Sequence, residues 1–435
     1  MVDKQLERRI GQWVREKRGE IVGLVSELIR YDTVNRITDG TERDCQTFVA
    51  AALTSMGLET ALYSPEEAPG FREHPAYFPG KDYTHRPNVA GRWKGRGTGS
   101  GKSLLFSSHA DTAVVAPGWS ASPWEPREID GRLYGLGAFD MKGGLAASMM
   151  AVRCLIELGV QPDGDVTIES VVDEEFGGAN GTLAGRLMGY NADAAIIPEP
   201  TNLAVCPATR GGALWRVTFR GKTGLSFSGE TLINPLYDAG KFLVFLEQFE
   251  RRRSDSPGPA PWYDEAAALP VIVTRAVAGD IAAALCDVGP ERCDVDVWVE
   301  CYPGTSEREL ERELTEEFAS MFPGAPLPEF VKLIRFLPGC EVSPDFPLLP
   351  LLAQEVRDVC GTEATMKGAP FACDAFMFNL HSPTPAVVWG PSGANAHAGE
   401  EYVEVESLVL LTEMYARTIV GWCGTTGRPE GEMNR

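Results

Sequence analysis

A chain of 435 residues is too long for one ordinary hydrophobic core, so two domains are expected. Its composition, 44% hydrophobic and 23% charged, is that of a globular protein, and no apolar run approaches the ~18 residues that span a bilayer. A formal net charge of −21 argues against nucleic acid and against anionic membrane surfaces as partners.

The opening residues, MVDKQLERRIGQWVREKRGEIVGLVSELIRYDTV, set Ile10, Trp13, Val14, Ile21 and Val25 at helical spacing among charges. That pattern excludes a secretory leader and makes the cytoplasm the expected location. At 95–103, GRGTGSGKS imitates a phosphate-binding loop, but Arg96 stands where the template needs glycine. The stretch also precedes a strand instead of joining a strand to a helix, so it reads as a solvated turn. The ten cysteines lack any CxxC pair and read as reduced core residues.

The next strand-like run, 104–106, leads into SSHAD at 107–111. A lone histidine beside a strand is more often packed than ligating. Three later runs change the weighing, because each is followed at once by a metal-binding residue type. DVTIESVV (165–172) ends in Asp173-Glu174-Glu175, ADAAII (192–197) in Pro198-Glu199-Pro200, and PAVVWG (385–390) leads through a glycine-rich loop to His397. In open α/β sheets, sites form beyond the carboxyl ends of strands. Between these runs, Met141 to Leu158 reads as a largely apolar helix with Asp140 at its start, where a carboxylate could simply cap it. Beside the other residues, Asp140 is placed to bridge two cations. Asp111 suits a carboxylate that orients the His109 imidazole. Glu174 and Glu175 invite a division of labour, one holding metal and the other taking a proton from water. Imidazole and carboxylate without thiolate favours Zn²⁺, Mn²⁺ or Co²⁺.

From about residue 210 the reading is strand (LWRVTFRGK), helix (NPLYDAGKFLVFLEQFERR), two strands (LPVIVTRAVAG, CDVDVWVECYPG) and helix (SERELERELTEEFASMF). Arg210 could clamp a substrate carboxylate or be a surface arginine. Asn234 could orient substrate, though a helix cap is the simpler reading, and the same holds for Asp374. His85 and His381 have no partner visible in the sequence.

The motifs HADT, LGAFDMKGG, DEEFGG, PEPT and NAHAGEEYV, in that order, closely resemble those of the co-catalytic dinuclear metallohydrolases. That family includes aminoacylase, acetylornithine deacetylase, succinyl-diaminopimelate desuccinylase and carboxypeptidase G. The resemblance implies one metal held by His109, Asp140 and Glu199 and another by Asp140, Glu175 and His397. Glu174 matches the general base and Asp111 the carboxylate behind His109. It implies an α/β fold: a discontinuous mixed-sheet catalytic domain over 1–207 and 330–435, with an inserted α+β, ferredoxin-like lid over 208–329 through which the chain would form a homodimer.

One position departs from that pattern. Where the family has Gly-Lys-x-x-His-x-Ser, this chain reads GKTGLSF, with Gly221 and Lys222 in place but Leu225 at the histidine. In the amide-cleaving relatives that histidine stabilises an oxyanion, and losing such a donor costs ~10²–10³ in rate. The departure tilts the expectation toward a relative that expels ammonia from an aminoaromatic acid of the 5-nitroanthranilate type. The alternative is deacylation of a small N-acyl amino acid. A metal-binding pseudoenzyme is a third reading, opposed by the presence of Glu174 beside every implied ligand.

Overall fold

The computed structural model describes all residues except 1–3, 98–100, 225–228, 230, 256, 264–267, 281, 283–287 and 426–435. The chain divides into two compact units, one of Met1–Ala208, Glu341–Ala369 and Asp374–Arg435, the other of Thr209–Cys340 with Pro370–Cys373.

The larger unit is built on a mixed nine-stranded sheet. Its strands are β1 (Glu59–Tyr63), β2 (Asn88–Trp93), β3 (Leu104–His109), β6 (Val166–Val171), β7 (Ala194–Ile197), β8 (Val205–Thr209), β13 (Cys340–Glu341), β14 (Met366–Ala369) and β15 (Ala386–Val388). They run in the order β1-β2-β6-β3-β7-β15-β8-β13, with β14 beside β8. At its centre β6, β3, β7 and β15 are parallel, with His109 opposite Val171 and Phe106 opposite Ile196. All six positions of β3 and of β6 are buried, the near-continuous apolar pattern of a strand covered on both faces. Because these strands share one direction, His109, the Asp173-Glu174-Glu175 run and Glu199 all emerge at the same edge.

Helices α1 (Lys4–Glu16), α2 (Arg18–Ile29), α3 (Arg43–Ser55), α4 (Gly143–Glu157), α5 (Asn180–Leu187), α8 (Leu348–Cys360), α9 (Ala375–Asn379) and α10 (Val405–Cys423) belong to the same unit. Nearly every side chain of α4 is buried, which explains why its sequence shows no polar face. Its small first residues are a packing requirement: a Cβ on Gly144 would lie 2.2 Å from the Pro198 carbonyl oxygen, next to Glu199. The helix begins two residues later than its sequence suggests. Ala138–Lys142 form a wider turn in which Asp140 and Met141 leave helical geometry. A small sheet in the order β16-β17-β5-β4 frames that turn, from β4 (Arg127–Ile129), β5 (Arg132–Tyr134), β16 (Gly393–Ala394) and β17 (Tyr402–Glu404).

The smaller unit is an antiparallel sheet in the order β10-β11-β9-β12, from β9 (Gly211–Arg220), β10 (Val271–Ala278), β11 (Arg292–Cys301) and β12 (Phe330–Lys332). Its helices are α6 (Pro235–Ser254) and α7 (Glu307–Met321). Alternate residues of the strands, Trp215, Val217 and Phe219 with Val295, Val297 and Val299, share one core with Phe242, Phe245 and Phe249 of α6 and Leu310, Leu314 and Phe318 of α7. The unit runs on to Cys340 instead of stopping near 329, because β12 pairs with β9 and keeps residues 330–332 in this sheet. No helix among the described residues is long and apolar enough to cross a membrane.

Candidate metal centre

At the carboxyl edge of the parallel strands, two imidazoles face one carboxylate from opposite sides. His109 Nε2 lies 3.2 Å from Asp140 Oδ1, and His397 Nε2 lies 3.3 Å from Asp140 Oδ2. Glu199 Oε1 is 3.5 Å from His109 Nε2, and Glu175 Oε2 is 3.2 Å from His397 Nε2. Glu174 Oε2 stands further back, 3.9 Å from His109 Nε2. Two ligand-atom clusters result, one of His109, Glu174 and Glu199, the other of Asp140, Glu175 and His397, each able to hold a metal ion. Asp140 reaches toward both. It does not cap α4, whose N-terminus has no side-chain cap. His397 is the open member, with 58% of its side chain exposed, whereas His109 is buried.

The electrostatics explain what such a cluster needs. Burial works against a charge on His109, but Glu199, Asp140 and Glu174 outweigh it and push the imidazole up. Glu175, against burial and then with Asp140, pushes His397 up to about 12. Burial would raise Asp140, yet the two imidazoles hold it well below the usual carboxylate range. Burial, then Asp140, pushes Glu199 up to about 8. With both imidazoles neutral, as metal ligation requires, and all four carboxylates ionised, the two clusters would carry a formal charge of −4, the charge that two divalent cations would balance. Oxygen and nitrogen donors without thiolate fit such cations.

The surroundings fix these groups. A carbonyl oxygen only accepts, so the 2.8 Å contact between His109 Nδ1 and the Asp111 carbonyl requires a hydrogen on Nδ1 and leaves Nε2 to face the site. The Asp111 carboxylate is therefore not what orients the ring, since it lies 3.8 Å from Nδ1. It accepts instead from the backbone N–H of Glu174 (3.0 Å) and of Glu175 (3.0 Å) and from Asn35 Nδ2 (2.8 Å). Glu174 is pushed well above the ordinary carboxylate range by burial, opposed by His109 and reinforced by Asp374, Glu199 and Glu175. Asp374 occupies the position before α9 without capping it. Its carboxylate accepts from Thr182 and lines a small cavity that also reaches Glu174 and Glu199.

Two more expected positions lie in the smaller unit. Arg210 is buried, donates from NH1 to Glu300 at 2.9 Å, and lies over the rings of Tyr263 and Tyr302, so it is not the surface arginine that one sequence reading allowed. Asn234 caps α6 by accepting from Leu236 N at 3.0 Å. Leu225 lies outside the described residues. His85 and His381 are exposed.

Sequence reading missed the outer layer. Glu401, buried, accepts from three backbone N–H groups of the turn that carries Asp140. Arg86, fully buried, holds Glu42 at 2.7 Å and lies 3.5 Å from Asp173, which also accepts from Tyr83 (2.6 Å) and pairs with Lys81. Glu401 carried a signal, falling within the motif that contains His397. Arg86, Glu42 and Asn35 carried none, being brought in from distant segments.

Residues 105–420 match the Peptidase family M20/M25/M40. The chain is 27% identical over 450 aligned positions to N-formyl-4-amino-5-aminomethyl-2-methylpyrimidine deformylase of Bacillus subtilis (strain 168), covering 94% of this chain and 96% of that one. It is 28% identical over 341 positions to succinyl-diaminopimelate desuccinylase of Gluconacetobacter diazotrophicus, covering 73% and 80%. Among solved structures, the YXEP protein of Bacillus subtilis, a dinuclear metal binding peptidase of the M20 family, superposes with a TM-score of 0.63 at 16% identity, over 95% of this chain and all of that one.

Proposed function

The chain belongs to peptidase family M20/M25/M40, and from that membership we propose that it hydrolyses the amide bond of a small N-formyl or short N-acyl amine, using two divalent metal ions. The observation that carries the reading is Asp140 with one oxygen toward each of two imidazoles, beside a partly buried Glu174 whose backbone is clamped by Asp111. When bound, the pair of cations would acidify a water molecule and polarise the scissile carbonyl. His109, Asp140 and Glu199 would hold one ion, and Asp140, Glu175 and His397 the other. Glu174 accepts a proton of the attacking water and returns it to the leaving nitrogen, so that water and amide become a carboxylic acid and an amine, which then exchange the remaining proton and depart as carboxylate and ammonium. Its raised proton affinity suits both transfers.

The substrate class rests on similarity to the deformylase along nearly the whole of both chains. Both of these relatives act, by name, on formyl or succinyl amides, which favours the deacylase alternative over the aminoaromatic one. Leu225 is then the position where the oxyanion of an amide-cleaving relative has lost its lid donor. A leucine offers no hydrogen-bond donor, so the oxyanion would depend on another group. The smaller unit would serve as the ferredoxin-like lid and the dimer contact.

The test is a product assay on the metal-loaded protein. N-formyl-4-amino-5-aminomethyl-2-methylpyrimidine should release formate, N-succinyl-diaminopimelate little succinate, and 5-nitroanthranilate no ammonia. Rapid ammonia release from 5-nitroanthranilate without formate from the pyrimidine would reverse the assignment.

A further inference from the structure

Glu401 stands four residues beyond His397, and its carboxylate is spent on backbone. Oε1 accepts from Phe139 N at 2.8 Å and Asp140 N at 3.0 Å, and Oε2 accepts from Gly137 N at 2.9 Å. The turn it grips cannot satisfy these donors itself. Gly137 has a φ of +78°, and Asp140 and Met141 are non-helical, so the N–H groups ahead of α4 lack the acceptors a regular helix would receive from a capping residue. The backbone nearby is held in parallel with this: Tyr402 of β17 pairs with Tyr134 of β5, and Gly135 N donates to the Glu401 carbonyl at 3.1 Å. One side chain thus ties the segment bearing His397 to the turn bearing Asp140.

We infer that Glu401 is a positioning residue for Asp140, holding the 137–140 turn so that each carboxylate oxygen faces a different imidazole. This rests on the reading of Asp140 as the ligand shared by two ions. Glu401 touches no ligand side chain in the contacts described, so it acts through backbone alone. A group that merely filled space would be replaceable by an isostere. This one needs two acceptor oxygens, because three backbone N–H groups converge on them. Glutamine retains one acceptor and sets an NH₂ donor against the remaining N–H. Alanine leaves all three donors without an acceptor in the interior. The cluster around His397 should suffer most, since it combines the displaced Asp140 with a displaced loop, whereas His109 ends β3 and Glu199 follows β7, both outside the turn that Glu401 holds.

The experiment titrates metal-free wild type, Glu401→Gln and Glu401→Ala with Zn²⁺ against a chromophoric chelator, and records the absorption spectrum of each protein loaded with Co²⁺. Wild type should bind two ions. In Glu401→Ala the weaker ion should lose about 10–100-fold in affinity, the range seen when a group supporting a metal ligand is removed. Glu401→Gln should fall between, and the Co²⁺ spectrum of both variants should change. If Glu401→Ala does not fold, the near-isosteric Glu401→Gln carries the test. Wild-type affinity for both ions and an unchanged Co²⁺ spectrum in Glu401→Gln would overturn the inference. A wild type that binds no ion would instead overturn the metal reading beneath it.

Discussion

At the scale of single residues, the site is a problem of crowded negative charge, and Asp374 is where that crowding can be tuned without touching a proposed ligand. Burial raises Glu174 above the ordinary carboxylate range, and Asp374 is the first of three carboxylates that add to the effect, with His109 opposing. A base works only when deprotonated, so activity should fall as pH drops through the raised value. Removing the negative charge of Asp374 lowers that value. Asp374→Asn should therefore shift the acidic limb of the kcat/KM profile to lower pH, while its amide oxygen still accepts from Thr182. A limb that stays in place, or moves to higher pH, would mean that Glu174 is not the titrating base.

At the scale of elements, the loop after β6 owes its shape to a buried charge network. Arg86 and Glu42 are both fully buried, with NH2 to Oε1 at 2.7 Å, and Arg86 also lies near Asp173 and Asp111. Removing one partner of such a pair leaves an uncompensated buried charge, at a cost of about 3–5 kcal/mol. Arg86→Ala should destabilise the protein by that much in a denaturant titration, and combining it with Glu42→Leu should recover part of the loss. Equal stability of Arg86→Ala and wild type would show that the network is idle. This network also marks the limit of what the sequence makes legible. His109, Glu174, Glu175 and Glu199 were readable because each follows directly on an apolar strand, and parallel strands deliver their ends to one edge. Asp140 was readable as a residue, but not the wide turn that presents it, since residues 138–142 look like a helix start. Arg86, Asn35 and Glu42 were invisible because their partners are tens of residues away, and nothing local forces a buried arginine. The ion pair of Arg210 was hidden for the same reason, its partner Glu300 lying 90 residues on.

At the scale of the whole molecule, the smaller unit exposes more apolar surface than a free face explains. Along the outer side of α6, Leu236, Tyr237, Leu243 and Val244 are exposed, Tyr237 by 74%. The helix packs on β10 and β11, and β10 is the outermost strand of its sheet, with Ile272 and Val273 exposed beside it. An open strand edge next to an apolar helix face invites pairing with another copy about a twofold axis, which would cover both at once. Opposing this is the net charge of −21 carried by each chain, a repulsion that salt screens. We therefore expect a homodimer whose association strengthens as ionic strength rises, the reverse of an interface held by ion pairs. Tyr237→Glu combined with Val244→Lys should yield a monomer in sedimentation equilibrium, with the ion content of the larger unit unchanged, because every proposed ligand lies in that unit. Wild type that sediments as a monomer at micromolar concentration in both low and high salt would refute the dimer.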